Sequence, residues 1–288
     1  MRSAFILSVA IFLVLFVPKN SYSQQQEADS LYQSLQRNAP GNLLPDTSNI
    51  NTLNDLATNY RYTDMDSLLK YVELAQQLAE DIGYSKGYFE SLYLRGWYHF
   101  YKGEYRKSLE VSNSGLAHPD IFNFPEKEAL LNQLIGTSYA SQGDYHLGLN
   151  YFLRALELYR QVDKDIDEFQ ILNNIGVSYF QLEDYERALE IFEELDSLRT
   201  LSSQSISLPV NLGFINYELG NLDEAEKQLM RIINYEGEEF DQRAIGLSTY
   251  KLGQIYLQRN QYPLALENFN RSIEVYDQYE KNLKKYNH

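Results

Sequence analysis

Apolar, small and aromatic positions recur along this chain at long range. Five segments align: Gly96-Trp97-Tyr98-His99, Gly136-Thr137-Ser138-Tyr139, Gly176-Val177-Ser178-Tyr179, Gly213-Phe214-Ile215-Asn216 and Gly253-Gln254-Ile255-Tyr256. Their glycines stand 40, 40, 37 and 40 residues apart. Nine positions after each glycine come Tyr105, Tyr145, Tyr185, Leu222 and Tyr262. Twelve positions on stand the small residues Ser108, Gly148, Ala188, Ala225 and Ala265, and sixteen on stand Ser112, Phe152, Phe192, Leu229 and Phe269. Agreement at several offsets at once marks an internal repeat.

The spacings predict a helix, a tight turn and a second helix in each unit. Apolar residues three and four apart make one buried stripe on a helix, as in Ala188-Leu189-x-x-Phe192 and Ala265-Leu266-x-x-Phe269. Glycine in Lys102-Gly103-Glu104, Gln142-Gly143-Asp144 and Leu219-Gly220-Asn221 suits the left-handed conformation that ends a helix. The motif glycines Gly96, Gly136, Gly176, Gly213 and Gly253 lie inside the first helix, where a missing side chain lets a neighbour approach. A degenerate earlier unit fits Leu56-Ala57-Thr58-Asn59-Tyr60 followed by Ser67-Leu68-Leu69 and Ala75, with Ala57 placed 39 residues before Gly96. The expected fold is all-α, with about six antiparallel helix pairs.

This pattern resembles the tetratricopeptide repeat family over about residues 50–280, and that resemblance implies a right-handed superhelical solenoid. Two departures stand out. The family's Trp position holds Leu92, Asn132, Leu172, Pro209 and Thr249, and its closing Pro is absent. The units also exceed the family's usual length by about six residues. The opening Asp46-Thr47-Ser48-x-x-Asn51-x-Leu53-Asn54-Asp55-Leu56-Ala57, with Tyr60 and Asp64-x-Asp66, is similar to the exported repeat regions that serve as inputs to certain bacterial sensor histidine kinases and related regulators. The 288 residues hold no His-Glu phosphoacceptor, ATP box or DNA-binding helix pair, so the resemblance concerns the input half alone.

The first residues read as a secretory signal. Arg2 precedes the apolar run Ala4 to Val17, Pro18-Lys19-Asn20 ends it, and Ser21-Tyr22-Ser23 offers the small residues of a cleavage site. The run is shorter than the roughly 20 residues a bilayer core requires. The expected organisation is a signal peptide at 1–23, a short helix and loop at 24–49, the repeats at 50–280 and a tail at 281–288, in a periplasmic or secreted protein cleaved near Ser23, with no membrane insertion afterwards. No cysteine is present, so stability must come from the core without disulfides. Forty acidic residues face 25 basic ones, a formal charge of −15, and losing Arg2 and Lys19 with the leader makes the chain more acidic still. Such a surface repels nucleic acid, and no basic cluster offsets it.

Candidate catalytic chemistry is sparse, and the chain is read as a non-enzyme without cofactor or metal. His99 takes the slot that Tyr139, Tyr179 and Tyr256 fill elsewhere, which suits a packing role. His118 precedes Pro119 in a linker, and His146 follows a turn tyrosine. Asp163-Lys164-Asp165-Ile166-Asp167 imitates a calcium loop, but Glu168 stands where the sharp turn needs Gly and Asn174 where a bidentate Glu is needed.

The first helices carry the binding expectation. Positions −3, +1 and +4 from each glycine share an arc of about 60°, bordered by +5. In the family these helices line the concave face. The expected partner-binding residues are Tyr93, Trp97, Tyr101, Thr137, Asn173, Val177, Gln181, Phe214, Tyr217, Tyr250 and Gln254, with Phe100, Gln133, Ala140, Phe180, Val210, Glu218, Leu257 and Gln258 beside them. Aromatics at helical spacing also serve as core between repeats, and for Trp97 and Phe100 that alternative stands open. Family members that grip a C-terminal carboxylate use Lys, Arg and Asn on this face, and Asn173 alone matches. The neutral, aromatic lining suits a protein or peptide partner with apolar anchors. The last helix, with Ile273, Val275, Tyr276, Tyr279 and Leu283, has no cap after it and offers a homo-oligomer contact.

Overall fold

The computed structural model describes residues 45–162, 165–197, 207–234 and 242–286, together with Ser30 and Gln33. The leader at 1–23, most of the 24–49 segment, Asp163, Lys164 and the end of the tail lie outside the described residues, as do the side chains of 165–167, 207 and 282–286. Among the described residues there are twelve α-helices, one short 3-10 turn (Ile121–Asn123) and no strand, as the all-α expectation requires. No described helix is long and apolar enough to cross a membrane.

The helices pair as α1 (Thr47–Tyr60) with α2 (Met65–Ile82), α3 (Ser85–Tyr101) with α4 (Tyr105–Leu116), and α5 (Pro125–Ser141) with α6 (Tyr145–Gln161). They continue as α7 (Asp165–Gln181) with α8 (Tyr185–Ser197), α9 (Ser207–Glu218) with α10 (Leu222–Ile233), and α11 (Gln242–Gln258) with α12 (Tyr262–Tyr286). Two compact units divide between Asn174 and Ile175. In the first, each second helix packs on the next first helix, and α1, α3 and α5 also meet successively. In the second, α9 packs on α8, α10 and α11, and α11 on α12.

One turn design serves five hairpins. The residue seven positions after the motif glycine has a positive φ, at Gly103 (73°), Gly143 (85°), Glu183 (60°), Gly220 (79°) and Asn260 (60°). The N–H of the following residue donates back to the carbonyl of the residue three after the motif glycine: Glu104 to His99, Asp144 to Tyr139, Asp184 to Tyr179, Asn221 to Asn216 and Gln261 to Tyr256, at 2.8–3.0 Å. That six-to-one bond satisfies a helix-end carbonyl that is otherwise orphaned. Side chains then start some of the second helices. Asp144 Oδ1 accepts from the Leu147 N–H at 3.1 Å, and Asp184 Oδ1 from the Arg187 N–H at 3.3 Å.

The motif glycines sit where helices touch. A Cβ built at Gly136, Gly176, Gly213 or Gly253 would stand 2.6–2.7 Å from Phe152, Phe192, Leu229 or Phe269, the residue sixteen positions on in each case. At Gly96 it would meet Leu134 at 2.8 Å and Ser112 at 3.0 Å. The small residues at the twelfth offset are all buried. So are Leu92, Asn132, Leu172, Pro209 and Thr249, which makes the family's Trp position a core position here too. Phe152 and Phe192 are fully buried, each worth about 1.5–3 kcal/mol of transfer free energy.

Candidate functional site

The exposed face of the first helices is set by what the hairpins bury. On α3, Trp97 is 5% exposed and Phe100 8%, so both belong to the core joining the first two hairpins. Tyr62 from the α1–α2 turn meets the Trp97 ring edge-on at 5.3 Å, and Tyr101 stacks against the same ring at 5.2 Å. Tyr101 is half exposed and Tyr93 half-buried. Of the expected binding residues, Trp97, Asn173, Val177 and Phe214 are buried and do not present a free surface. For Trp97 the cover is the preceding α1–α2 turn and for Phe214 it includes the following α11: helical spacing fixes an arc, whereas a neighbouring helix or turn decides how much of that arc is covered. Tyr93, Thr137, Gln181, Tyr217 and Gln254 are partly open, and Tyr101 and Tyr250 are exposed.

Each unit holds one polar cluster on its first helices built around a residue not named among the expected binding residues. In the first unit Arg61, in the α1–α2 turn, lies over the Tyr62 ring at 4.9 Å and the Trp97 ring at 5.1 Å. Its Nη1 donates to the Tyr93 hydroxyl at 3.5 Å, and its Nε–H is buried with no acceptor among the described residues. Burial pushes the Tyr93 phenol up, with the nearby Arg61 charge opposing.

In the second unit Lys251 is buried between α9 and α11. Its Nζ lies 4.7 Å from the Phe214 ring centre and 4.1 Å from that of Tyr217, and pairs with Glu218 Oε1 at 3.2 Å. Burial pushes the Lys251 ammonium down, and Glu218 counters that shift. Gln258 Nε2 donates to the Tyr217 hydroxyl at 3.0 Å, Leu257 and Tyr250 stand exposed nearby on α11, and the Gln254 carbonyl oxygen is buried without a donor among the described residues. Lys251 was detectable as a cation one residue after Tyr250, just beside the stripe at −2 from Gly253. Arg61 carried a signal as well: it stands four positions after Ala57, the +4 stripe position of the degenerate first unit.

The remaining candidates are structural in placement. His99 is half-buried, with Nδ1 2.7 Å from Glu104 Oε2 across its own turn. That bond and Lys107 hold the Glu104 carboxyl below its usual range. His118 packs on Tyr88 and Phe89, and His146 is exposed. The calcium-like stretch lies in part outside the described residues, and no group of three or more metal-ligating side chains gathers among the described ones. On α12, Tyr276 points inward, since a Cβ at Gly246 would stand 2.9 Å from its ring, and Tyr279 and Val275 are half-buried. Among the described side chains of α12, the exposed large apolar residues are Tyr262, Leu264, Leu266 and Ile273. Of the positions expected to offer a homo-oligomer contact, Ile273 is thus exposed and Val275, Tyr276 and Tyr279 are half-buried, while the Leu283 side chain lies outside the described residues.

The family model described as tetratricopeptide repeat matches residues 126–195 and 204–278, together half of the chain. No curated protein sequence matches the chain. Among solved structures, it is similar to a signal transduction ATPase with numerous domains that carries a tetratricopeptide repeat sensor, from Pyrococcus horikoshii, with 19% identity and a TM-score of 0.70 over 93% of this chain and 44% of that one. The chain thus spans less than half of that ATPase. The apo form of the quorum sensor NprR from B. thuringiensis shares 19% identity and a TM-score of 0.64, over 90% of this chain and 73% of that one. A Rap protein in complex with competence and sporulation factor shares 13% identity and a TM-score of 0.59, over 90% and 72%. At these identities the likeness is one of fold.

Proposed function

The chain belongs to the tetratricopeptide repeat family, and from that premise we propose that it is an exported scaffold that holds a peptide or protein segment against the faces of its first helices. The observation that carries this reading is that first helices of each unit leave uncharged aromatic and apolar side chains open, Tyr101 on α3 in the first unit and, separately, Tyr250 with Leu257 on α11 in the second. Large amphipathic rings bury much area at little entropic cost, which is why they dominate binding hot spots. Export rests on the leader at residues 1–23, and it predicts a mature protein beginning near Gln24 in the periplasmic or secreted fraction.

A crosslinking capture from the cell-envelope fraction tests the interaction. Tyr101→Glu and Tyr250→Glu should each lose the partner that the parent retains, while Leu153→Glu, at an exposed site on second helix α6, should keep it. A partner retained equally by all three variants would move the site elsewhere. A second reading is a free-standing input module of a signalling system, favoured by the likeness to a repeat sensor and to a quorum sensor. Under it, the captured partner is a small diffusible peptide or a membrane-bound kinase rather than an assembly component.

A further inference from the structure

On the second helix of each hairpin, the positions +9, +13, +16 and +20 from the motif glycine follow a 4-3-4 spacing and share one stripe. In the earlier hairpins the apolar residues of that stripe are covered. Leu109, Leu149 and Leu189 at +13 and Leu116, Leu156 and Ile233 at +20 are buried or half-buried, and Phe152 and Phe192 at +16 are fully buried. Beyond a second helix lies the next hairpin: α2 packs on α3, α4 on α5, α8 on α9 and α10 on α11. On α12 the same stripe is open. Tyr262 is 60% exposed, Leu266 62% and Ile273 60%, and Phe269 is half-buried. Among the described side chains no other helix exposes as many as three large apolar residues.

Two features of the stripe indicate what covers it. The charged residues between Tyr262 and Ile273 are Glu267 and Arg271, and both project more than about 120° away around the helix, so covering the stripe desolvates no charge. The 4-3-4 spacing also reads the same in both directions. A second α12 running antiparallel sets Tyr262 against Ile273 and Leu266 against Phe269, twice over, so every apolar position of the stripe meets another. Head-to-tail stacking onto α1 of another copy finds no such match, since Ser48, Asn51, Asp55 and Thr58 make the open side of α1 polar. We infer that α12 pairs with α12 of a second copy around a two-fold axis, with Leu266 and Phe269 at the centre. Four side chains present less than the roughly 800 Å² per partner of a standard interface, so the pairing is weak and depends on concentration. It involves no residue of the first helices and stands or falls separately from the interaction reading above.

Light scattering of the purified full chain, from low to high micromolar concentration, should show the mass rising from one chain toward two. Leu266→Glu should hold it at one, and Leu147→Glu, at an exposed leucine on α6, should leave the pairing intact. Circular dichroism verifies that both variants fold. The sequence contains no cysteine, so introduced thiols report the geometry. Under mild oxidation, a mixture of Tyr262→Cys and Ile273→Cys chains should form a mixed disulfide pair, several-fold more than either variant forms with itself. In the antiparallel arrangement opposite ends of the stripe meet, whereas each end lies about 16 Å along the axis from its own counterpart, at 1.5 Å per residue. A parent that stays monomeric throughout, or association that survives Leu266→Glu, overturns the inference. Stronger crosslinking of each cysteine variant with itself overturns it as well, because the helices would then run parallel.

Discussion

Replacing Gly136 by Ala adds a single methyl group where α5 and α6 are closest. Its carbon would stand 2.6 and 2.7 Å from two ring carbons of Phe152 and 3.0 Å from the Gly148 carbonyl oxygen. Two effects oppose each other. Alanine inside a helix is favoured over glycine by about 1 kcal/mol. Overpacking a full core costs about 1–3 kcal/mol. Phe152 is fully buried, and a backbone carbonyl cannot swing aside, so the upper part of that range applies. The net expectation is a loss of about 1–2 kcal/mol. Urea unfolding followed by circular dichroism should show a lower midpoint at unchanged slope, and hydrogen exchange should place the loss in α5 and α6 before distant hairpins. Trimming the ring with Phe152→Leu should be less damaging in the Gly136→Ala background than in the parent, a coupling of about 0.5–3 kcal/mol for groups in contact. A contrasting variant is Gly143→Ala: nothing lies within 4 Å of its added carbon, and any loss comes from a φ of 85°. If Gly136→Ala proves as stable as the parent or more so, the helix-propensity gain is unopposed and the close approach argued here is wrong.

Glu183→Gly should stabilise the chain by about 1 kcal/mol, because Glu183 holds a φ of 60° that glycine adopts without strain; thermal melting that shows no gain counts against the shared turn geometry. Burial, with a hydrogen bond to Glu226, pushes Tyr256 from 10.0 to about 12, so the folded chain holds that proton more tightly. The contribution is fully present below pH 10.0 and is lost as the pH rises to about 12. Tyr256→Phe should therefore lose less stability than the parent between neutral and strongly alkaline urea melts, and equal losses would refute the assignment. Leu266 and Ile273, 62% and 60% exposed on α12, should support self-association that Leu266→Glu and Ile273→Glu abolish in light scattering; a monomeric parent at tens of micromolar would remove that role.

The hairpins were legible in the sequence because their contacts recur at fixed offsets. The glycine and the residue sixteen positions on form one contact in four repeats, and the turn residue seven positions on takes one conformation in five. The face was legible only in part. An arc calculation places Trp97 and Tyr101 on neighbouring lines of α3, yet the α1–α2 turn covers the first and leaves the second half open. Arg61 stands at the +4 offset of the degenerate first unit, but its contacts with Tyr93 and Trp97 belong to the next hairpin, which the offsets within one unit do not show. Tyr276 carried a signal that the offsets obscured: Gly246 lies two helical turns before Gly253 on α11, and that second gap receives the ring.

The turn bond between backbone groups has a consequence for how such a chain changes over generations. It asks nothing of side-chain identity, so Gly, Glu and Asn all occupy the left-handed position while the distance from helix to helix stays constant within a hairpin. The one irregular spacing among the motif glycines, 37 residues between Gly176 and Gly213 against 40 elsewhere, therefore falls outside the turns. A hairpin cut at its connectors takes its closing bond and its glycine contact with it, which makes it the natural unit of duplication, deletion and exchange. Recombination within connectors should preserve folding more often than recombination inside the turns, where a single inserted residue would break the bond and turn the second helix away from its glycine.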